Sequence, residues 1–440
     1  MTNETIDHES KRMVGVLIKP DEAGMFNNGL NQNGYFLYRL LQKIDTVHPI
    51  LVGMDIDIPK ENHSPDNFMT VYGLPIVPFS SFVDTYRLDV LVCATYAVEP
   101  EVAAPLKATG TKFVSPVWGH KYVMNHEAVV FGHLKPAKGK PRNFADSGIW
   151  RRNEGIIDAL WLSPHFSWTK QYLAACYDMP LSKTFTAPYI WSPEFIEESM
   201  TKIKDFESGK ASPYFKRGDP KNKHIYTLEP NINVVKTSLV PFRILETLQK
   251  KEKDQFEHCF FYSGQRLAHN PHFVRLINKS VFSQDKGKTE KISFEHRTKL
   301  SHVFTQAKVQ LAHHFDCGLN YTYLEAAYYH HPIVHNSEFM REMGYYYRGA
   351  AVHDAAAQLS KALRHEDRHD LEEYNSNCDD VVYRYSIDNP ANIEGYRTLI
   401  ENLFTSEKPV LPTYIEELES RLAYGDGYFS PHHLSPTYLL

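Results

Sequence analysis

The chain has 440 residues, more than one hydrophobic core usually organises, so we predict two domains of about 200 residues each. With 42% hydrophobic, 13% aromatic and 23% charged residues, the composition is that of an ordinary globular protein and excludes a largely disordered chain. The formal net charge of −5 excludes the strong basic field of a protein that coats nucleic acid.

Cysteine and histidine spacing gives no sign of a metal site. The five cysteines are far apart and form no CxxC pair, which argues against a zinc ribbon and a disulfide scaffold. Adjacent histidines at 313–314 and 330–331 lack the i,i+4 spacing of a metal-binding helix face, so neither metal nor cofactor is expected. The polar N-terminus and the lack of a run approaching 20 apolar residues predict a cytoplasmic protein without integral membrane association.

The first half opens with a strand, a glycine loop and a helix. Residues 13–18 (MVGVLI) form a short, β-branched apolar run typical of a buried parallel strand. A loop rich in Gly and Asn follows at 24–34, and apolar residues at helical spacing predict a helix from Tyr35. Strands and helices then alternate as far as Pro193, which predicts a parallel α/β sheet typical of mononucleotide-binding domains.

A polar stretch separates two α/β series. Residues 198–222 are charged and contain Gly and Pro, so we predict a linker or exposed loop there. It divides an N-terminal domain at 1–197 from a C-terminal domain at 223–388, whose strands and helices alternate again. The last segment, 389–440, is predicted to be a helix and tail that pack back on the first domain.

Ligands of open parallel sheets bind beyond the carboxyl ends of the strands, so the loops that follow strands are the candidate sites. The loop after the first strand has carboxamides and a glycine that suit sugar hydroxyls or phosphates. Its candidate residues for binding the acceptor or sugar are Asn27, Asn28, Gly29, Asn31 and Gln32. The spacing is not GxGxxG, which disfavours a dinucleotide cofactor.

Several cationic or titratable residues also follow predicted strands. Lys236 ends the segment EPNINVVK at 229–236, where it would neutralise a diphosphate near a helix start, although an ordinary surface lysine is the alternative. Arg266 is placed to meet phosphate, and Arg297 to reach an interdomain cleft. His120 follows a strand of the first domain; His120 or a carboxylate of that domain is the candidate catalytic base if the reaction inverts the anomeric configuration.

The most specific segment is HHFDCGLNYTYLEAA at 313–327, followed by HPIVHN at 331–336. It resembles the donor-binding signature of GT-B glycosyltransferases, in which a loop with an acidic residue and a glycine leads into a helix that carries a glutamate. The resemblance implies an α/β fold of two Rossmann-like domains with parallel sheets that face a central cleft. It also implies a metal-independent glycosyltransferase with a nucleoside diphosphate sugar as donor.

The resemblance assigns roles to single residues. Glu325 matches the helix glutamate that binds the ribose, and Lys236 matches the lysine placed against the diphosphate, with Asn231 where the family has an arginine. Cys317 stands where the family has the acidic residue that contacts the sugar; the neighbouring Asp316 is the candidate for that role and, with His120, a candidate catalytic residue.

Asn320 and Tyr321, within the same signature, complete the predicted donor set. Together with GLNQN at 29–33 and HNS at 335–337, the signature resembles a set of bacterial and phage glycosyltransferase-like proteins over residues 13–365.

The acceptor stays open at this point. One candidate is hydroxymethylated cytosine in phage DNA, made in the host cytoplasm, for which basic segments at 135–152 and 214–223 would form a rim. The other is a glycan of surface polysaccharide synthesis. A non-catalytic nucleotide-sugar-binding protein and an epimerase of the same fold are further alternatives.

Overall fold

The computed structural model describes residues 11–19, 29–54, 69–71, 74–80, 87–131, 155–283, 291–367, 370–405 and 413–417. The chain divides into two compact units. The first combines Met1–Ser192 with Tyr385–Leu440, and the second is Pro193–Arg384. Each unit is built around its own sheet.

An eight-stranded sheet forms the first unit, with strand order β3-β4-β2-β1-β5-β6-β7-β8. The elements are β1 (Arg12–Ile18), α1 (Gly29–Leu41), β2 (Val47–Gly53), β3 (Met69–Val71), β4 (Leu74–Pro78), β5 (Val90–Cys93), α2 (Pro100–Ala108), β6 (Lys112–Val117), α3 (Lys121–Phe131), β7 (Ala159–Leu162), α4 (Lys170–Cys176) and β8 (Thr184–Thr186). Only the β3–β4 pair is antiparallel among the described pairs.

Strand β1 is covered on both of its faces. All residues from Met13 to Ile18 are buried, as expected for a central parallel strand. Helix α1 packs so closely on β1 that a Cβ on Gly34 would lie 2.5 Å from Ile18 Cγ2. Glycine at position 34 therefore allows the loop and helix after β1 to begin directly over the sheet edge.

A six-stranded sheet forms the second unit, with strand order β11-β10-β9-β12-β13-β14 and parallel pairing throughout. Its elements are α5 (Glu194–Thr201), α6 (Lys204–Glu207), β9 (His224–Thr227), α7 (Leu239–Lys251), β10 (His258–Phe261), α8 (Gln265–Ala268), α9 (Pro271–Asn278), β11 (Ile292–Phe294), α10 (Leu300–Val303), β12 (Val309–Leu311), α11 (Tyr321–Tyr328), β13 (Ile333–His335), β14 (Tyr345–Tyr346), α12 (Val352–Leu363) and α13 (Leu371–Arg384).

The segment 198–222, expected to be a linker or exposed loop, belongs to the second unit. It begins in α5, includes α6, and is fastened by hydrogen bonds to the rest of that unit. The amide of Phe215 donates to the carbonyl of Tyr329 at 3.0 Å, and the amide of Gly218 donates to Glu366 Oε2 at 2.7 Å. The backbone here is therefore held in place before it enters β9.

After α13 the chain returns to the first unit and forms α14 (Pro390–Asn402). Residues 191 and 386 form a parallel bridge, and the amide of Trp191 donates to the carbonyl of Tyr385 at 2.7 Å. The hydroxyl of Tyr396, on α14, donates to the carbonyl of Pro188 at 2.9 Å. No helix in the described part of the chain is both long and apolar enough to cross a membrane.

Candidate functional site

Two polar loops are joined at the carboxyl edge of the second sheet. One follows β9 and covers residues 229–238, and the other follows β12 and covers residues 312–320. The amide of Phe315 donates to the carbonyl of Val235 at 2.7 Å, and the amide of His313 donates to Glu229 Oε1 at 3.0 Å. Glu229 is only 3% exposed, so the hydrogen bond that its carboxyl accepts is buried and connects the two loops.

Asn231 shapes the first of these loops from within. Its backbone has a φ of +54°, a left-handed conformation that asparagine tolerates better than most residues. Its side-chain amide donates to the carbonyl of Glu229 at 2.7 Å and to Ser238 Oγ at 3.1 Å, and its Oδ1 accepts from the amide of Ser238 at 2.8 Å. The predicted donor-binding side chain thus bonds within the unit and holds the turn that presents Lys236.

Lys236 is the cation of this edge. It is partly exposed and faces the carboxyl of Glu229 and the thiol of Cys317, and its charge acts to lower the pKa of both. Burial outweighs that effect, because it raises the pKa of Glu229 to about 7 and raises the pKa of the Cys317 thiol. A neutral thiol and a weakly acidic carboxyl therefore leave much of the lysine charge available to an anion.

The second loop is held by hydrogen bonds to the segment after β13. Asn336 accepts from the amide of His314 at 3.1 Å and donates to the carbonyl of His314 at 2.9 Å. A Cβ on Gly318 would lie 2.8 Å from Phe339 Cδ2, so only glycine fits there without displacement. Asp316, the predicted sugar contact, has a φ of +50° and is partly exposed beside the buried Cys317.

Helix α11 begins where this loop ends. Asn320 caps it, since its Oδ1 accepts from the amide of Thr322 at 3.3 Å, and Tyr321 is largely buried in the first turn. The amino end of α11, with its partial positive charge, therefore lies at the carboxyl edge of the sheet.

Glu325, one turn into α11, is partly exposed. Removal of water by the surrounding protein raises the pKa of its carboxyl to about 7. The structure places Glu325 near Tyr226 and Tyr329; burial is the main cause that raises the pKa of each tyrosine, and the charge of Glu325 adds to it. In the described part of the chain it forms no ion pair and no side-chain hydrogen bond.

Arg266 and Arg297 belong to the same edge. Arg266 is exposed in α8, after β10, and Arg297 is exposed after β11. Gln265 Nε2 lies 2.5 Å from His296 Nε2, which joins the two loops that carry the arginines. Asn231 Nδ2 also lies 3.4 Å from the carbonyl of Ser263, which links the loop after β10 to the loop of Lys236.

The predicted acceptor loop of the first unit is described only in part, because Asn27 and Asn28 lie outside the described residues. Gly29 is exposed at the start of α1, whereas Asn31 and Gln32 are buried in its first turn. Asn31 Nδ2 donates to the carbonyl of Lys19 at 2.9 Å, and its Oδ1 has no hydrogen-bond partner in the described part of the chain.

His120 follows β6 and is 5% exposed. Its ring centroid lies 4.9 Å from that of Phe166 and 6.1 Å from that of Trp168, whose indole is 41% exposed. His120 and Asn31 lie at the same edge of the first sheet, with β5 between their strands. Phe166 and Trp168 both lie in one short 3₁₀ helix, Pro164–Thr169, and were not identified from the sequence as neighbours of His120.

Of the two basic segments expected to form a DNA rim, only 214–223 is among the described residues. Residues 135–152 lie outside the described residues. Residues 214–223 lead into the first residue of β9, so they lie at the amino edge of the second sheet, opposite Lys236. In the described part of the chain, no group of three or more His, Cys, Asp or Glu side chains is arranged to hold a metal ion.

Solved structures share this architecture. A UDP-forming α,α-trehalose-phosphate synthase from Burkholderia xenovorans has a TM-score of 0.53 and 9% identity, over 90% of this chain and 100% of that chain. The N-terminal domain of Candida albicans trehalose-6-phosphate phosphatase has a TM-score of 0.51 and 12% identity, over 90% and 97%. The trehalose-6-phosphate synthase OtsA has a TM-score of 0.52 and 12% identity, over 91% and 100%.

These likenesses and the two parallel sheets confirm the predicted fold class, an α/β chain with the Rossmann-like sheets of the GT-B fold. No curated protein matches the chain in sequence. The family model described as "Protein of unknown function (DUF2827)" matches residues 14–400, and the chain belongs to that family.

Proposed function

We propose that this protein is a glycosyltransferase that moves a sugar from a nucleoside diphosphate sugar to an acceptor hydroxyl. The observation that carries the proposal is the placement of Lys236 between Glu229 and Cys317, on a loop bonded to the one that leads into α11. A cation and a helix amino end at the carboxyl edge of a parallel sheet form a site suited to a diphosphate.

In this proposal Lys236 and the partial positive charge at the amino end of α11 stabilise the negative charge that develops on the departing diphosphate, so the reaction needs no divalent metal. Arg266 and Arg297, exposed at the same edge, add positive potential. Because Asn231 bonds within its own loop, the diphosphate contact falls to Lys236 rather than to the residue at the family's arginine position.

The carboxyl of Glu325 accepts hydrogen bonds from the ribose hydroxyls. It is partly exposed and forms no side-chain hydrogen bond in the described part of the chain, so it has acceptor capacity for a ligand. Asp316 and the amides around Asn320 and Tyr321 contact the sugar. The resemblance of residues 313–327 to the donor-binding signature of GT-B glycosyltransferases supports these roles.

The first unit binds the acceptor, with His120 as the base that removes the proton of the attacking hydroxyl. The exposed indole of Trp168 near His120 offers an aromatic face on which a sugar ring can stack. Gly29 and the buried carboxamides of Asn31 and Gln32 lie at the same sheet edge. We therefore propose a sugar or glycan hydroxyl as the acceptor, as in surface polysaccharide synthesis.

Hydroxymethylated cytosine in phage DNA is the less favoured acceptor. A DNA substrate needs a basic surface beside the donor site, because phosphate contacts dominate affinity for DNA. The one basic segment that is described, 214–223, lies at the opposite edge of the sheet from Lys236. We place the activity in the cytoplasm, since all five cysteines, each among the described residues, are free thiols.

The test is release of nucleoside diphosphate from a panel of nucleotide sugars, with and without EDTA. Lys236→Met is expected to weaken donor binding about 10- to 100-fold, the value of one charge-assisted contact. Lys250→Met is the control, because Lys250 is exposed on α7 and pairs only with Glu246 among the described residues. Equal donor affinity of the two variants would refute the assigned diphosphate site.

Products and acceptors separate the alternative functions. Interconversion of the sugar without release of nucleoside diphosphate would identify an epimerase, and binding without turnover in the presence of acceptors would identify a binding protein. Transfer of radiolabelled sugar to oligosaccharides, but not to hydroxymethylated duplex DNA, is the result expected here. Transfer to that DNA alone would overturn the glycan acceptor.

A further inference from the structure

A charged cavity lies at the amino edge of the second sheet. Its volume is about 380 Å³, and its walls come from residues 205–221 and from residues 304–308 before β12. The cationic residues that line it are Lys210, Lys216, Arg217, Lys221 and Lys308. Two carboxylates, Asp205 and Asp219, also line it, so positive charge is in excess.

This cavity is separate from the proposed donor site. Lys221 lies just before β9 and Lys308 just before β12, whereas Glu229 and His313 follow the same two strands. Strand β9 has four residues and so spans about 13 Å. Because the strands are parallel, the two groups of residues lie at opposite edges of the sheet.

The buried ammonium of Lys308 shows why the cavity favours an anion. Lys308 is 2% exposed, and its Nζ lies 3.8 Å from Asp219 Oδ2. Asp219 is shared, because its Oδ1 also accepts from the amide of Lys221 at 2.9 Å and lies 3.5 Å from Lys221 Nζ. One carboxylate thus faces two ammonium groups, and a buried charge with so little compensation is costly.

The pKa of Lys308 reflects the same shortage of negative charge. Burial lowers the pKa to about 8, Asp219 acts against this shift, and the charges of Lys221 and Lys216 add to it. An anion in the cavity would favour the charged ammonium and raise this pKa. Binding at pH 8 or above would therefore take up a proton, and affinity would fall as the pH rises above 8.

The loop that carries the lysines is fixed before any ligand arrives. Gly218, at a φ of +72°, donates its amide to Glu366 Oε2, and Asn222 Nδ2 donates to the same oxygen at 3.1 Å and to the carbonyl of Lys216 at 3.0 Å. His331 Nε2 lies 2.6 Å from the carbonyl of Pro213. A prearranged frame of this kind reduces the entropy lost on binding.

We propose that this cavity binds the phosphate or diphosphate group of a small phosphorylated metabolite. Lysine ammonium groups are common phosphate ligands, and five cations around one concave surface give a strong local positive potential. The volume is in the range of small-molecule sites, about 300–1,000 Å³. The proposal does not rest on glycosyltransferase activity, because none of its residues belongs to the donor site.

The experiment is calorimetric titration of the full-length chain with inorganic pyrophosphate. It is done at pH 8 in the Lys236→Met background, so that the proposed donor site does not contribute. The expected result is one site per chain. Adding Lys216→Gln and Arg217→Gln, two exposed positions on the cavity rim, should weaken binding at least 10-fold, whereas Lys250→Met should not.

Thermal unfolding of each variant checks that it is folded. The rim substitutions leave the buried Lys308 in place, so the unfolding temperature should change little. Unchanged pyrophosphate affinity in the rim variant, or absence of a site in its parent, would overturn the proposal. Tighter binding of a DNA oligonucleotide than of pyrophosphate, lost in the same rim variant, would overturn the small-metabolite class and assign the cavity to a polynucleotide.

Discussion

Replacing Glu325 with glutamine is expected to stabilise the second unit and at the same time to weaken donor binding. The carboxyl of Glu325 has a pKa raised from 4.5 to about 7, with desolvation as the cause. The folded state therefore binds this proton more tightly than the unfolded chain. Stability supplied by the protonated carboxyl is present at low pH and is lost as the pH rises from about 4.5 through 7.

The magnitude follows from that shift. A rise in the pKa of Glu325 from 4.5 to about 7 means that the ionised carboxyl destabilises the folded state by about 3 kcal/mol at pH 8. Glutamine keeps the size of the side chain and removes the charge, but its partly buried amide costs about 1–2 kcal/mol. The net gain for Glu325→Gln at pH 8 is therefore about 1–2 kcal/mol, and it should vanish or reverse near pH 5, where the folded wild type is protonated.

Urea unfolding followed by far-UV circular dichroism at pH 8 and pH 5 measures this difference. All five tryptophans lie at or before residue 191, in the first unit, so tryptophan fluorescence reports on that unit alone. Glu373→Gln, at an exposed position in the first turn of α13, is the matched control; loss of its interaction with the helix dipole should lower stability by less than about 1 kcal/mol, with little difference between the two pH values. A stability difference for Glu325→Gln that is the same at both pH values would refute the desolvation argument. Unaltered nucleotide-sugar affinity would refute the ribose contact.

Three further outcomes are expected. Gly318→Ala should destabilise the unit by about 1–3 kcal/mol in urea unfolding, because the new Cβ would lie 2.8 Å from Phe339 Cδ2, and no loss would mean that the loop relaxes freely. Asn231→Ala should cost about 2–3 kcal/mol in the same assay, since it removes the loop hydrogen bonds at a φ of +54°. In the Glu325→Gln background, where that second carboxyl no longer titrates, donor affinity should fall between pH 6 and 8, because Glu229 ionises near 7 and then offsets the charge of Lys236. Calorimetry on Glu229→Gln should show that this fall has disappeared, and its persistence would exclude Glu229 as the titrating group.

The strands were predictable because a buried parallel strand reads as a short apolar run. The apolar run predicted as a strand at 13–18 matches β1, Arg12–Ile18, to within one residue at each end. Helix α13 was missed because its sequence is polar, with only Tyr374, Cys378 and Val381 buried. Leu300, Val303 and Phe304 have helical spacing, but the helix there, α10, covers only Leu300–Val303, so a few apolar residues at that spacing do not fix the ends of a helix.

The positions of the candidate site residues were predictable only where the rule applies that ligands bind beyond the carboxyl ends of parallel strands. That rule places Lys236, Arg266 and the loop at 313–320 at one edge, where the structure has them. It does not show which way a carboxamide points, so the sequence did not distinguish a ligand contact at Asn231 from the loop bonds that it makes. The basic character of 214–223 was likewise evident, but its edge of the sheet depends on the strand that it precedes.

The hydrogen bond between the amide of Trp191 and the carbonyl of Tyr385 joins the two points where the backbone leaves the first unit and re-enters it. The first unit is therefore discontinuous in sequence, and the second unit is inserted into it as one continuous segment. Deleting codons 193–384 and joining the remaining ends through a short glycine spacer should yield the first unit alone. The separately expressed second unit contains no tryptophan and is suited to isotope labelling. Each half of the proposed chemistry can then be titrated separately.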